Sequence, residues 1–223
     1  MKHYEPIADN DELIDIVGRR RAYLGLTGFD ALVLQAMRRA DRKGFVPPDT
    51  RGIYEDEPLP IGFGQTCSQP SMVAAMACLL DLRPGLRVLE VGTGCGYSAA
   101  VTIQLIAPGG RLFSVECIPE LTDFAEQNLK RSGLPSNYML ITGDGSLGLP
   151  GQTPFDRIYL TAGVGRNFTP AHLINQLGTN GILLYPEAYG DMHLVRKTPE
   201  GITTSALHGV GFVPLKGEKG GFD

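Results

Sequence analysis

The stretch Arg87-Val-Leu-Glu-Val-Gly-Thr-Gly-Cys-Gly-Tyr97 carries the densest chemistry in the sequence. It is an apolar strand running into glycines spaced GxGxG, with an acid, Glu90, just before the first of them. A turn of this kind lets a ligand approach the backbone closely and aims the amides of the following helix at it. Dinucleotide turns instead space their glycines GxGxxG and receive a pyrophosphate. A carboxylate beside the turn disfavours a pyrophosphate and favours a ligand that carries an ammonium and a sulfonium but no phosphate. S-adenosyl-L-methionine is such a ligand, with Glu90, Gly92, Thr93, Gly94 and Gly96 as its expected contacts. The competing reading of the same residues is a plain tight turn.

Two further acids end the next two strands. Glu116 lies 26 residues after Glu90, where a carboxylate can accept both hydroxyls of a ribose. Nicotinamide enzymes place an acid similarly, so Glu116 alone is ambiguous, and it can equally be a surface carboxylate. In Gly143-Asp144-Gly145, Asp144 is placed to accept from an adenine amino group, with Gly145 permitting the turn, or else to form the turn and nothing more. Three consecutive strands ending in the right chemistry favour the cofactor reading over the separate bland ones.

Those strand ends require a scaffold. From Pro84 onward strand and helix patterns alternate, as in parallel sheets wound through βαβ units. Strands are expected at 87–92, 111–117, 138–143, 155–162, 181–186, 192–197 and 206–213, with the last one or two antiparallel. Helices are expected at 97–106, 120–132, near Gly148, and at 170–177, where Thr169 would cap the helix before Pro170. Residues 1–83 read as an N-terminal helical segment and substrate loop packed on the same domain, with helices at 11–23, 28–40 and 69–82. A Pro/Gly-rich connection spans 46–64. Residues 84–223 form the cofactor-binding core. The fold class is therefore α/β, a seven-stranded, mostly parallel sheet of Rossmann-like type preceded by helices.

Composition narrows the partners. The chain has 223 residues, 20 Lys+Arg against 24 Asp+Glu and a net charge of −4, so it lacks the basic stripe that nucleic-acid binding needs. Arg19 to Arg21, and Arg38-Arg39 with Arg42-Lys43, read as solvated helix faces. The longest apolar run, Met72 to Leu80, is nine residues, well below the roughly 18 of a membrane span. The polar, acidic start is unlike a signal peptide. A cytoplasmic monomer is expected. Cys67, Cys78, Cys95 and Cys117 form no CxxC pair and read as buried, reduced thiols. His3, His172, His193 and His208 show no metal-ligand spacing, and no metal is expected.

The chain resembles the protein-L-isoaspartate (D-aspartate) O-methyltransferase family from about residue 28 to 217. The resemblance rests on Ala36-Met-Arg-Arg-Ala-Asp-Arg-Lys-Gly-Phe-Val-Pro47 and on Tyr54-Glu-Asp-Glu-Pro-Leu-Pro-Ile-Gly-Phe-Gly-Gln-Thr-Cys-Ser-Gln-Pro70. The glycine turn with Gly143-Asp-Gly145 and Pro154-Phe-Asp156, and the closing Phe212-Val-Pro-Leu215, complete it. It implies the seven-stranded S-adenosylmethionine-dependent methyltransferase sheet. It also implies methyl transfer to the α-carboxylate of L-isoaspartyl or D-aspartyl residues in damaged proteins and peptides, whose ester collapses to a succinimide and partly regains normal aspartate. Thr66 and Ser68 fall where the family's Thr-x-Ser meets cofactor and substrate, with the Ser68 hydroxyl nearest the reacting carboxylate. Val213 and Pro214 fall where the family holds substrate backbone. The alternative for Thr66 and Ser68 is that their hydroxyls only satisfy loop backbone.

Departures from the family pattern at Asp41, at Thr161 to Arg166 and at Met192 bear on substrate choice. They keep open a methyltransferase acting on another small-molecule or peptide carboxylate. A binding protein that has lost turnover and a nicotinamide oxidoreductase rank below it. Tyr54 and Asp56 stand either at a substrate mouth or on the surface. The tail from Lys216 to Asp223 is expected to fray.

Overall fold

The computed structural model describes residues 7–20 and 23–222, which leaves His3, Arg21 and Asp223 outside it. The proline-rich connection, expected as a loop, runs into a hairpin of β1 (Leu59–Gly62) and β2 (Gln65–Cys67). Seven further strands follow: β3 (Arg87–Val91), β4 (Arg111–Glu116), β5 (Tyr138–Thr142), β6 (Phe155–Leu160), β7 (Leu177–Pro186), β8 (Tyr189–Thr198) and β9 (Gly201–Gly211). Among the described residues these seven form one sheet in the order β5-β4-β3-β6-β7-β8-β9. The first five run parallel, and β8 and β9 are both antiparallel to their neighbours. In β3, Val88, Leu89, Glu90 and Val91 are all buried, as befits a strand covered on both faces. The chain leaves β3 for β4 on one side and later returns to place β6 on the other, so the strand order reverses at β3.

One face carries α1 (Asn10–Gly18), α2 (Ala31–Arg39), α3 (Pro70–Leu79) and α4 (Tyr97–Ile106). Asp9 and Asp30 accept from the amides of Glu12 and Leu32 and cap the first two. Helices α3 and α4 are apolar nearly all round because they lie between the sheet and the outer pair. Leu13, Ile14, Val17 and Met37 from α1 and α2 share one hydrophobic cluster with Val88, Ile103 and Leu184. Burying each such side chain stabilises by about 1.5–3 kcal/mol. Helix α5 (Pro119–Arg131), on β4 and β5, extends the same layer, with Leu121 and Leu129 in that cluster, and the short α6 (Ala171–Ile174), on β7, lies on the other face, where Leu173 joins a second cluster.

Several boundaries differ from the sequence expectations, each for a local reason. Helix α1 ends at Gly18 rather than continuing to Tyr23, and α2 begins at Ala31, where Asp30 supplies the cap. Helix α6 is four residues long with Pro170 at its cap position, so Thr169 does not cap it. Strand β9 starts at Gly201 because the long ladder with β8 extends to Thr198↔Gly201. The described part of the tail is folded rather than frayed. Residues Gly217 to Gly221 fold back, with the Glu218 amide donating to Asp144 Oδ2 at 2.8 Å and the Gly165 amide donating to the Gly220 carbonyl at 2.8 Å.

The surface assignments also shift. Arg42 is fully buried, whereas Arg38 is paired with Asp15 at 2.5 Å on the outer face. Cys67 and Cys95 are buried as expected, Cys78 is half-buried and Cys117 is exposed. Asp56 serves the fold: it accepts from the Ser71 amide at 2.8 Å and pairs with Arg20 at 2.7 Å.

Candidate active site

The C-terminal ends of β3, β4 and β6 open into a cleft. It lies at the reversal of strand order, where open α/β sheets place their ligands. It is lined by Gly92 to Cys95 of the turn, by Glu116, Cys117 and Gly145, by Thr66 to Ser68, and by Thr161, Ala162 and Val213 to Lys216. A second cavity adjoins it, sharing Thr66, Ser68, Thr161 and Val213 and extending over Pro58, Met72 and Phe212. The two lobes therefore meet at Thr66 on β2 and Ser68 just after it, with Thr161 and Val213 opposite.

The turn is built for close approach. Gly92 has φ +98°, and a Cβ there would overlap the hydroxyl of Thr161. Gly96, at φ +86°, opens α4 with no side chain capping it, so the first amides of that helix stay uncapped by side chains. The Gly94 amide donates to Glu116 Oε2 at 2.9 Å and the Ile118 amide to Glu116 Oε1 at 3.1 Å. Those bonds fix the carboxylate on the cleft wall, and a carboxylate has about four acceptor sites, so some are left for a ligand.

Glu90 sits elsewhere than the sequence suggested. It is fully buried beneath the turn and off the cleft lining. Tyr159 donates to its Oε1 at 2.7 Å and Ser114 to its Oε2 at 2.5 Å, while Ser114 and Thr93 share a bond of 2.6 Å. Burial pushes its carboxyl up to about 7, against the donation from Ser114 and Tyr159. Glu90 thus braces Thr93 through Ser114 rather than facing a ligand. Asp144 is also off the lining, with Oδ1 accepting from the Ser146 amide at 2.9 Å and Oδ2 held by the tail. Burial works to raise its carboxyl, and donation from Ser146 and the Glu218 amide prevails and holds it below the usual range. Gly96 stands behind the lining as well.

The structure brings Thr66, Ser68, Gly92, Thr93, Gly94, Glu116, Gly145, Val213 and Pro214 together around the cleft. The hydrogen bonds that fix residues 57–69 run through backbone carbonyls and Gln69; among the described residues none uses the Thr66 or Ser68 hydroxyl. Tyr54 and Asp56 do not line the cleft. Nor do the described histidines: His172 bridges the carbonyls of Thr169 and Ser146, and His193 and His208 pair with Glu187 and Asp191. Among the described residues no cluster of His, Cys, Asp and Glu could hold a metal. Sequence reasoning missed two contributors. Thr161 follows Leu160, which pairs with Val91, so it faces the turn across the reversal point, a position the strand order would have exposed. Lys216 enters with the tail, which nothing in its composition signals.

The lining fits S-adenosyl-L-methionine. Among the described residues it carries one carboxylate, Glu116, one cation, Lys216, and no arginine to clamp a phosphate.

Comparisons agree with this geometry. Residues 11–220 match the family described as protein-L-isoaspartate(D-aspartate) O-methyltransferase. A protein-L-isoaspartate O-methyltransferase of Methanopyrus kandleri is 48% identical over 195 residues, covering 84% of each chain. One of Methanococcoides burtonii is 43% identical, covering 88% of this chain and 98% of its own. A Plasmodium falciparum structure, described as a putative protein-L-isoaspartate O-methyltransferase in complex with S-adenosyl-L-homocysteine, superposes with a TM-score of 0.79 at 26% identity, covering 94% of this chain and 99% of that one. With a methyltransferase-type sheet, a cleft at its reversal point and relatives matched along most of their length, the chain belongs to the protein-L-isoaspartate(D-aspartate) O-methyltransferase family.

Proposed function

We propose that the protein transfers a methyl group from S-adenosyl-L-methionine to the α-carboxylate of L-isoaspartyl or D-aspartyl residues in damaged proteins and peptides, initiating their repair. The observation that carries this reading is the pair of adjoining cavities that share Thr66 and Ser68. One lobe covers the glycine turn and Glu116, and the other, flanked by Phe212 and Val213, is left for the acceptor.

When bound, the cofactor supplies an electrophilic methyl group on a sulfonium. Gly92 to Gly94 and Gly145 line the lobe that would hold it, and Glu116, fixed by the Gly94 amide, would accept from its ribose. Glu90, Gly96 and Asp144 act from behind the wall by holding the turn, the helix start and the Gly145 segment. A carboxylate with a pKa of about 3.9 is ionised at neutral pH, so the acceptor needs no general base. The chain's task is orientation and exclusion of water. Ser68, and Thr66 beside it, donate to one carboxylate oxygen and present the other, while Val213 and Pro214 hold the adjoining backbone.

The free thiols suit a reducing compartment such as the cytoplasm. No described helix is long and apolar enough to cross a membrane. The reading is tested by its product: a methyl ester on an isoaspartyl peptide that releases methanol in alkali, with normal aspartate accumulating over repeated cycles. A methylated product stable to alkali would place the methyl group on something other than a carboxylate.

A further inference from the structure

Arg42 is among the largest fully buried side chains of the described structure, and among the described residues no carboxylate pairs with it. Burying a cation without a counter-ion is costly, so the fold must supply other partners. It supplies five backbone carbonyls. One terminal nitrogen of the guanidinium donates to Ile53 O at 3.1 Å and Glu55 O at 2.8 Å. The other donates to Glu57 O at 2.6 Å, Cys67 O at 3.4 Å and Ser68 O at 3.1 Å. These carbonyls lie at both ends of the β1–β2 hairpin, so a single side chain closes the substrate loop where it begins and where it ends.

The segment that carries Arg42 is tied to the cofactor turn by separate bonds. Asn128 of α5 donates to Phe45 O at 3.3 Å and to Cys95 O at 2.9 Å. The rings of Phe45 and Tyr97, the first residue of α4, lie 5.8 Å apart. Residues 42–45 therefore act as a spacer with the hydroxyl loop on one side and the glycine turn on the other.

We propose that Arg42 is a positioning residue for methyl transfer, setting where the Ser68 hydroxyl stands relative to the cofactor turn. It touches neither reactant and acts by fixing the backbone carbonyls of Cys67 and Ser68; the proposal rests on the reading of Ser68 given above. A lysine would keep the charge, but its three donors on a point ammonium cannot span five carbonyls.

The test uses the full-length protein as wild type, Arg42→Lys, Ser68→Ala and the double variant, assayed with an isoaspartyl peptide and titrated with S-adenosyl-L-homocysteine. Misplacement on the order of 1 Å predicts a fall in kcat of about 100-fold for Arg42→Lys, with S-adenosyl-L-homocysteine affinity changed less than about threefold. The double variant should be no more than about threefold slower than the slower single one, because both remove the same orientation. Wild-type kcat in Arg42→Lys, with a slow Ser68→Ala, overturns the proposal alone. Fully additive losses, or a loss of S-adenosyl-L-homocysteine affinity parallel to the loss of kcat, also overturn it by marking a general folding role. Full turnover in Ser68→Ala sinks the reading of Ser68, and this proposal with it.

Discussion

The phenolic hydroxyl of Tyr159 on β6 donates to the carboxyl of Glu90 on the neighbouring β3 across 2.7 Å, in a layer with no access to solvent. Through Ser114 this pair reaches Thr93, a residue of the cofactor turn. An acid that the sequence offered as a ligand contact is instead the buried post on which the turn stands.

A pH dependence follows from that burial. The folded carboxyl of Glu90 titrates near 7 and its ordinary value is 4.5, so the folded state holds the proton more tightly than the unfolded chain does. Its contribution to stability is complete below about 4.5 and is lost as pH rises towards and through about 7, a swing on the order of 3 kcal/mol. Denaturant unfolding between pH 5 and pH 8 should show this decline in the wild type and a flatter profile in Glu90→Gln. Equal slopes in the two proteins would contradict it.

Ser68→Ala removes one oriented donor to a charged acceptor. Turnover on an isoaspartyl peptide should fall about ten- to 100-fold, while S-adenosyl-L-homocysteine binding, read by calorimetry, changes little. Unchanged turnover at saturating peptide would take Ser68 out of the chemistry.

The folded tail gives a third expectation. Glu218 and Lys219 donate their amides to Asp144 Oδ2 and Ser146 Oγ beside Gly145 on the cleft wall. Deleting residues 217–223 should weaken S-adenosyl-L-homocysteine binding roughly fivefold by releasing that turn. Undiminished affinity would show that the tail only covers the surface.

Gly92→Ala tests the turn itself. A side chain there meets both an unfavourable φ of +98° and the Thr161 hydroxyl, so a loss of about 1–3 kcal/mol of stability is expected from chemical denaturation. An unshifted midpoint would mean that the turn relaxes freely.

Much of this was legible in the sequence because it depended on periodicity and on strand ends. The seven strands, the parallel-then-antiparallel order and the positions of Gly92 to Gly94, Glu116 and Gly145 follow from local patterns. What stayed hidden depended on tertiary context. Arg42 looks like any helix-end cation in the sequence, and only the carbonyls converging on it reveal a buried role. Glu90 and Asp144 have the right type and spacing for a ligand, but neighbouring donors claim them first. The hairpin of residues 59–67 escaped notice because its prolines and glycines read as loop, although Leu59 and Cys67 pair across it.

The central claim is tested most directly by methyl transfer from labelled S-adenosyl-L-methionine to two synthetic peptides that differ only in one isoaspartyl or aspartyl linkage. Label entering the isoaspartyl peptide alone is the expected result. Cofactor binding with no label in either peptide would contradict it, leaving the fold and the cofactor cleft intact and assigning the site to a different acceptor.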